Sequence, residues 1–402
     1  MEYIGKGNPA FRKVAICLFL GGLVTFATMY CVQPLLPLYS HDFHVSPSTT
    51  SLVLSATTAL LAVMITFAST LSNAWGRKNI MTFSLFSTSF ITLVSSFSPN
   101  FTVLLLCRAL QGIVLAGIPA IAMVYLGEEV HPQYLGAAMG LYIGGTAFGG
   151  MLGRIASGVL TDLFSWRIAI LCIGLMGLIC SWYFWKYLPS SKHFVAQPIA
   201  AKHHIHGQTR QLRNPALLCL YGIALLLMGS FVTLYSYSGY QLIAPPYNLS
   251  QALIGWIFSI YIIGSLGSSW LSSLADRWPR RWVLLIGVVL VMIGTLTTLN
   301  GSLLLKLFGV AAVTFGFFGC HAIASSWVSI QAGNGKAHAS ALYMFFYYAG
   351  SSIGNTAGGF FWSMSGWPGV IGMISVFLLL CLVLVLILPI LSVRRAENHT
   401  TH

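Results

Sequence analysis

The chain has 402 residues, of which 57% are hydrophobic and 7% charged, and its formal net charge is +13. A soluble domain carries about 25% charged residues, so this composition cannot coat a water-facing surface and points to a bilayer as solvent. In a soluble protein that positive charge would suggest nucleic-acid binding; here the Lys and Arg residues sit between apolar runs and read as loop bias instead, so no nucleic-acid partner is expected.

Taken from the beginning, residues 1–13 form a basic tail with Lys6, Arg12 and Lys13. An apolar run from about Val14 to Tyr39 follows. It shares a basic flank with signal peptides, but it is too long, lacks a small-residue cleavage site and leads straight into another span. It is therefore expected to be a first membrane helix that is retained. Twelve apolar runs can be drawn, beginning near Val14, Ser51, Ile80, Thr102, Tyr134, Trp166, Pro215, Gln251, Trp282, Leu303, Ala337 and Pro368. At about 20 residues each, they are long enough for a hydrocarbon core of about 30 Å.

The basic residues predict orientation. With both termini placed in the cytoplasm, sixteen Lys and Arg residues fall on cytoplasmic segments and two, Arg167 and Lys306, fall outside. Arg108 and Arg154 lie within spans. That bias follows the positive-inside rule. A polar linker, 189–213, separates a first six-span bundle, 14–188, from a second, 214–391, and a tail occupies 392–402. The linker carries His203, His204 and His206, read as a solvated patch because no cysteine or carboxylate joins them. The eight cysteines are scattered inside apolar runs without metal or redox spacing.

Span five has glycine every fourth residue. One row is Gly136, Gly140, Gly144; another is Gly145, Gly149, Gly153; a third is Gly150, Arg154, Gly158. Span eleven repeats the pattern at Gly350, Gly354 and Gly358. Such stripes let helices approach closely, and they suit helices that slide against one another.

The two halves repeat. Leu71, Asn73, Trp75, Arg77 and Lys78 match Leu274, Asp276, Trp278, Arg280 and Arg281 at an offset of 203. Tyr142, Gly149, Gly153, Gly158 and Trp166 match Tyr343, Gly350, Gly354, Gly359 and Trp367 at 201. Two unrelated matches at nearly one offset mark a duplicated unit. The expected fold class is an all-α membrane protein, with twelve transmembrane helices in two pseudo-symmetric six-helix bundles.

Three motifs carry a family resemblance: the loop-two signature Leu71 to Lys78 with its second copy, the span-four run Arg108 to Gly112, and the span-five run Gly145 to Gly150. With the repeat, they resemble the major facilitator superfamily in its twelve-span drug and sugar efflux branch, and within it the YnfM-like bacterial inner-membrane transport proteins. The resemblance implies a monomeric secondary transporter of the inner membrane, with proton-coupled efflux of a small amphipathic compound by alternating access. It assigns gating to Asn73, Gly76, Arg77, Lys78, Asp276, Arg277, Arg280 and Arg281. The chain departs from the family pattern at Ser69 and Asn73 in the first loop signature, at Pro279 in the second, and at Thr146, where the antiporter motif carries proline. A neutral Asn73 cannot form the ion pair of the family's cytoplasmic latch.

The interior chemistry follows from cost. A charged side chain at a helix centre costs roughly 2.5–3.5 kcal/mol on insertion scales, so Arg108 and Arg154 are functional candidates. Every carboxylate lies elsewhere: Glu2, Asp42, Glu128, Glu129, Asp162, Asp276 and Glu397 are at loops or span ends. Arg108 suits either substrate contact or a coupling and packing role. His321 is the group near the midplane that titrates near neutral pH, so it is the proton-coupling candidate, with Asp42 and Asp162 at the outer mouth. Tyr30, Gln33, Gln111, Tyr235, Tyr237, Tyr347 and Asn355 complete the cavity candidates, as aromatics and amides suited to an amphipathic ligand. The same groups also suit hydrogen bonds between helices.

No phosphate-binding Gly-x4-Gly-Lys-Ser/Thr run occurs, so ATP is not the expected energy source. No enzyme constellation, metal site or cofactor is expected either. Import or exchange of organic anions at the two arginines is the alternative to efflux.

Overall fold

The computed structural model describes residues 3–5, 8–191, 193–194 and 201–400. Glu2, Lys6 and Lys192, and the side chains of Lys202, His203, His204, His206, Arg394, Arg395 and Glu397, lie outside the described residues. The described chain is almost wholly helical; its strand-like pairing is an isolated bridge between Ile4 and Val130.

The helices begin where local chemistry starts them. Asn8, Asn100, Ser165, Asn214 and Ser250 are N-caps whose side chains accept backbone N–H bonds from the first turn. Proline occupies the first helical position at Pro9, Pro132 and Pro215, where its missing N–H costs nothing. The spans therefore start close to the expected positions: Pro9, Pro47, Arg77, Phe101, Pro132, Trp166, Pro215, Gln251, Arg280, Leu303 and Lys336.

Among the described residues, ten helices are long and apolar enough to cross a membrane. Arg77–Ser95, richer in Ser and Thr, is a further span. The long helix Lys336–Thr400 breaks at Ser365 and Gly366, where Gly366 has φ +58°, and so holds spans eleven and twelve. The all-α fold of twelve spans in two six-helix sets is thus as expected.

Three spans are interrupted. Span one runs as Pro9–Tyr30, a 3-10 turn Gln33–Leu35 and a short helix Leu36–Asp42. Pro34 and Pro37 remove the N–H groups that would continue the ladder. Span four passes from Phe101–Leu115 to Gly117–Glu129 just before Pro119. Span eight passes through a 3-10 turn, Phe258–Ile260, between Gln251–Ile257 and Tyr261–Arg277.

The chain packs as two compact units. Unit one takes the described residues of Met1–His44, Ala56–Ala201 and Leu249–Phe258. Unit two takes those of Val45–Ser55, Lys202–Asn248 and Ser259–His402. Each unit therefore contains a short segment from the other half of the sequence.

In unit one, span five lies on span one. A Cβ at Gly145, Gly149 or Gly153 would collide with the backbone of Phe19, Leu23 or Ala27 respectively, in matching steps of four residues. In unit two, Gly350 and Gly354 press in the same way on Leu225 and Gly229 of span seven. The remaining row, Gly136, Gly140 and Gly144, faces open space instead. A Cβ at any of the three would meet nothing within 4 Å, so no neighbour uses the close approach its spacing suggested.

Candidate functional site

The break in span one organises the polar interior of unit one. Breaking the helix leaves its last carbonyls without intrahelical donors. Arg108, 1% exposed, supplies them: Nη1 donates to the Thr28 carbonyl at 3.0 Å and Nη2 to the Met29 carbonyl at 2.6 Å. Nη1 also donates to Gln111 Oε1, one turn along span four. Gln111 Nε2 donates to Thr92 Oγ1, and Thr57 Oγ1 donates to the Arg108 carbonyl. Spans one, two, three and four meet in this network. Arg108 and Gln111 are brought together, and their geometry is that of a cross-link.

Arg154 approaches the same break from span five. Its Nε donates to Gln33 Oε1 at 2.8 Å and its Nη1 to the Gly150 carbonyl at 2.6 Å. The guanidinium carbon lies 4.0 Å from the Tyr30 ring centroid and 4.7 Å from that of Phe258. A cation between two aromatic faces is stabilised by their quadrupoles and keeps its fork of donors oriented. Tyr30, Gln33 and Arg154 thus form one cluster at the break in span one, joined by the residue that opens the break in span eight. Discontinuous helices with a fixed cation between them can bind an anionic or strongly polar ligand group. Phe258 was not legible as a site residue. Its only sequence signal is an aromatic in an apolar run.

Unit two builds its interior from aromatics. His321 Nδ1 lies 2.9 Å from Tyr343 Oη, and its ring centroid is 4.7 Å from that of Tyr347. Phe317 stacks on Phe231 at 3.9 Å, and Tyr261 meets both Phe231 and Phe318. Tyr261, Phe318, His321 and Tyr347 are each part-exposed. Tyr235 is buried, with its hydroxyl 2.7 Å from Thr314 Oγ1. Tyr237 donates to the Asn355 carbonyl at 2.8 Å. Asn355 in turn donates to the Ser51 carbonyl and to Ser55 Oγ. Two groups result: His321 with Tyr347, and Tyr237 with Asn355. Tyr343, Phe317 and Phe318 join the first without having been counted among the cavity candidates.

The loop signature is also asymmetric. Gly76, at φ +90°, makes the turn between spans two and three. Arg77 follows it, and its guanidinium makes a two-pronged pair with Glu128, Nη2 to Oε1 at 2.7 Å and Nε to Oε2 at 3.1 Å. It also donates to Ser72 Oγ and Asn73 Oδ1. Asn73 thus orients the arginine where the family pattern has an acid. In the second copy, Arg281 lies over the Trp282 ring, and among the described residues Asp276, Arg277 and Arg280 form no ion pair.

The two acids expected at the outer mouth are engaged within unit one. Asp42 accepts from Trp166 Nε1 at 2.9 Å. Asp162 accepts the backbone N–H groups of Gln251 and Ala252, each at 3.0 Å. Lys306, counted on the outer side, lies in the first turn of span ten, in keeping with a span start near Leu303. It is buried, with Nζ donating to the Thr298 carbonyl at the end of span nine.

The sequence model of the Major Facilitator Superfamily matches residues 18–249 and 226–401. An uncharacterized MFS-type transporter of Bacillus subtilis, YybF, is 47% identical over 382 residues, covering 95% of each chain. The inner membrane transport protein YnfM of Escherichia coli K12 is 42% identical over 381 residues, covering 95% of this chain and 91% of that one. Among solved structures, a bacterial homolog of the human lysosomal transporter Spinster, inward-facing and occupied, superposes with TM-score 0.79 at 14% identity, covering 96% of this chain and 97% of that one. The human organic anion transporter MFSD10 gives 0.68 at 15% identity, covering 94% and 100%. At these identities the two structures speak for the fold alone. With its relatives' names and the matched family, the chain is a membrane transporter and belongs to the major facilitator superfamily.

Proposed function

We propose that this chain is a proton-driven antiporter that exports a small amphipathic organic compound by alternating access. In this reading it acts as a monomer in the bacterial inner membrane, with both termini cytoplasmic. The observation that carries it is the ring-lined face around His321. Part-exposed Tyr261, Phe318 and Tyr347 offer apolar contact, and an imidazole bonded to Tyr343 offers a proton site in the membrane interior. Asp42 and Asp162 are further carriers of the proton at the outer mouth. The Arg77–Glu128 pair belongs to the inner gate.

The test is flux in proteoliposomes, with and without an imposed pH step, over labelled drugs, sugars and organic acids. His321→Ala is expected to abolish the part of the flux driven by the pH gradient. Unchanged proton dependence rejects the coupling role.

A second reading, exchange or import of organic anions, is favoured by one observation. Arg154 is held between Tyr30 and Phe258 at the two helix breaks, a setting that suits a carboxylate. It predicts electroneutral anion counterflow that responds little to pH and is lost in Arg154→Gln.

A further inference from the structure

Span five grips the first turns of span eight at three heights along one face. Arg154 meets the Phe258 ring. Four residues on, Gly158 lies against Gln251 and Gly255 so closely that a Cβ would strike their backbone. Four residues further, both carboxylate oxygens of Asp162 take the N–H groups of Gln251 and Ala252, the otherwise unpaired donors of a helix start. This position also carries a penalty. Gln251 is buried, and neither its Oε1 nor its Nε2 has a protein partner among the described residues; the neighbouring Thr161 hydroxyl is in the same condition. Buried amide groups without partners destabilise the arrangement that buries them.

Unit two holds its borrowed segment differently. The positions 201 further on are Asn355, Gly359 and Ser363. Asn355 binds Ser51 and Ser55, and Gly359 lies against Ser48, but Ser363 bonds back to the carbonyl of Gly359 in its own helix. Only the first row ends in a carboxylate aimed at a helix start.

We propose that Asp162 is the latch of a gate made by the first turns of span eight, held shut against the cost of burying Gln251. Two opposed tendencies at one contact make a two-position element: the carboxylate favours the docked segment and the amide favours its release. The proposal rests on the alternating-access reading above, in which such a gate must open once per cycle.

The test is hydrogen exchange of the purified full-length protein, followed in peptides covering 250–258 and, as a control, 45–55. Asp162→Ala is expected to speed exchange in 250–258 by about fivefold, the scale of losing a helix cap, and to leave 45–55 unchanged. Asp162→Asn, which keeps one acceptor, falls between. Gln251→Met, which keeps the shape without the amide, is expected to slow exchange in the same peptide. No change in 250–258 with either variant, changes of the same sign, or equal loosening at 45–55 overturns the latch. Exchange needs no substrate, so a latch found without any measurable flux removes the transport reading alone. Flux with unaltered exchange removes the latch alone.

Discussion

The two copies of the loop signature, Leu71 to Lys78 and Leu274 to Arg281, descend from one pattern and do different things. In the first, Arg77 is tied to Ser72, Asn73 and Glu128. In the second, Pro279 replaces the glycine, and span ten ends without an acid that could stand where Glu128 stands. The same divergence runs through the interior. Unit one is cross-linked by Arg108 and Arg154, whereas unit two uses Asn355, tyrosines and His321. Gly149, Gly153, Gly158, Trp75 and Trp166 have stayed matched, by Gly350, Gly354, Gly359, Trp278 and Trp367. The duplication therefore preserved the packing and redistributed the charge, so asymmetric tasks fall on the charged half.

The largest break in this comparison is expected at Arg108. Arg108→Leu strips donors from the Thr28 and Met29 carbonyls and from Gln111, a loss of about 3 kcal/mol. Unfolding of the detergent-purified protein measures it. Span ten carries no arginine, so no single substitution in unit two has the same consequence.

Packing is the shared part, and it should respond alike in both halves. Gly149→Leu and Gly350→Leu each force a side chain into the backbone of the facing helix and are expected to destabilise by about 2 kcal/mol. Gly144→Leu, facing open space, should stay within about 0.5 kcal/mol. Unequal effects at Gly149 and Gly350 would show that packing too has diverged.

The smallest contrast is at the loops. Glu128→Gln weakens a part-buried, two-pronged pair and is expected to cost about 1 kcal/mol, less at high salt. Arg280→Gln should fall within about 0.5 kcal/mol, since no pair is lost. Thermal midpoints at low and high salt separate the two.

Much of this was legible in the residues. Span starts follow from Asn, Ser and Pro at helix caps, and the glycine row Gly145, Gly149, Gly153 follows from its spacing. The proline-driven breaks of spans one and four were visible as Pro34, Pro37 and Pro119. What a linear sequence cannot display is which carbonyl a buried guanidinium will reach. The Arg108 network joins positions 80 residues apart, and nothing local at Thr28 or Met29 announces it. The break in span eight has no proline, so Phe258 gave no signal of its place beside Arg154. Lys306 was counted as an outer cation at the start of span ten; its burial depends on a helix end, Thr298, that only folding brings over it.

The interruption of span one divides it into two rods. The longer is bolted to span five by three glycine steps, and the shorter is tied to span six through Asp42 and Trp166. Their joint lies where hydrocarbon would normally forbid an incomplete helix. Arg108 places donors on the Thr28 and Met29 carbonyls beside this joint, which meets the polar cost of interrupting the ladder there. A span built this way is two rods whose junction is hydrogen-bonded by a neighbouring helix rather than by its own ladder.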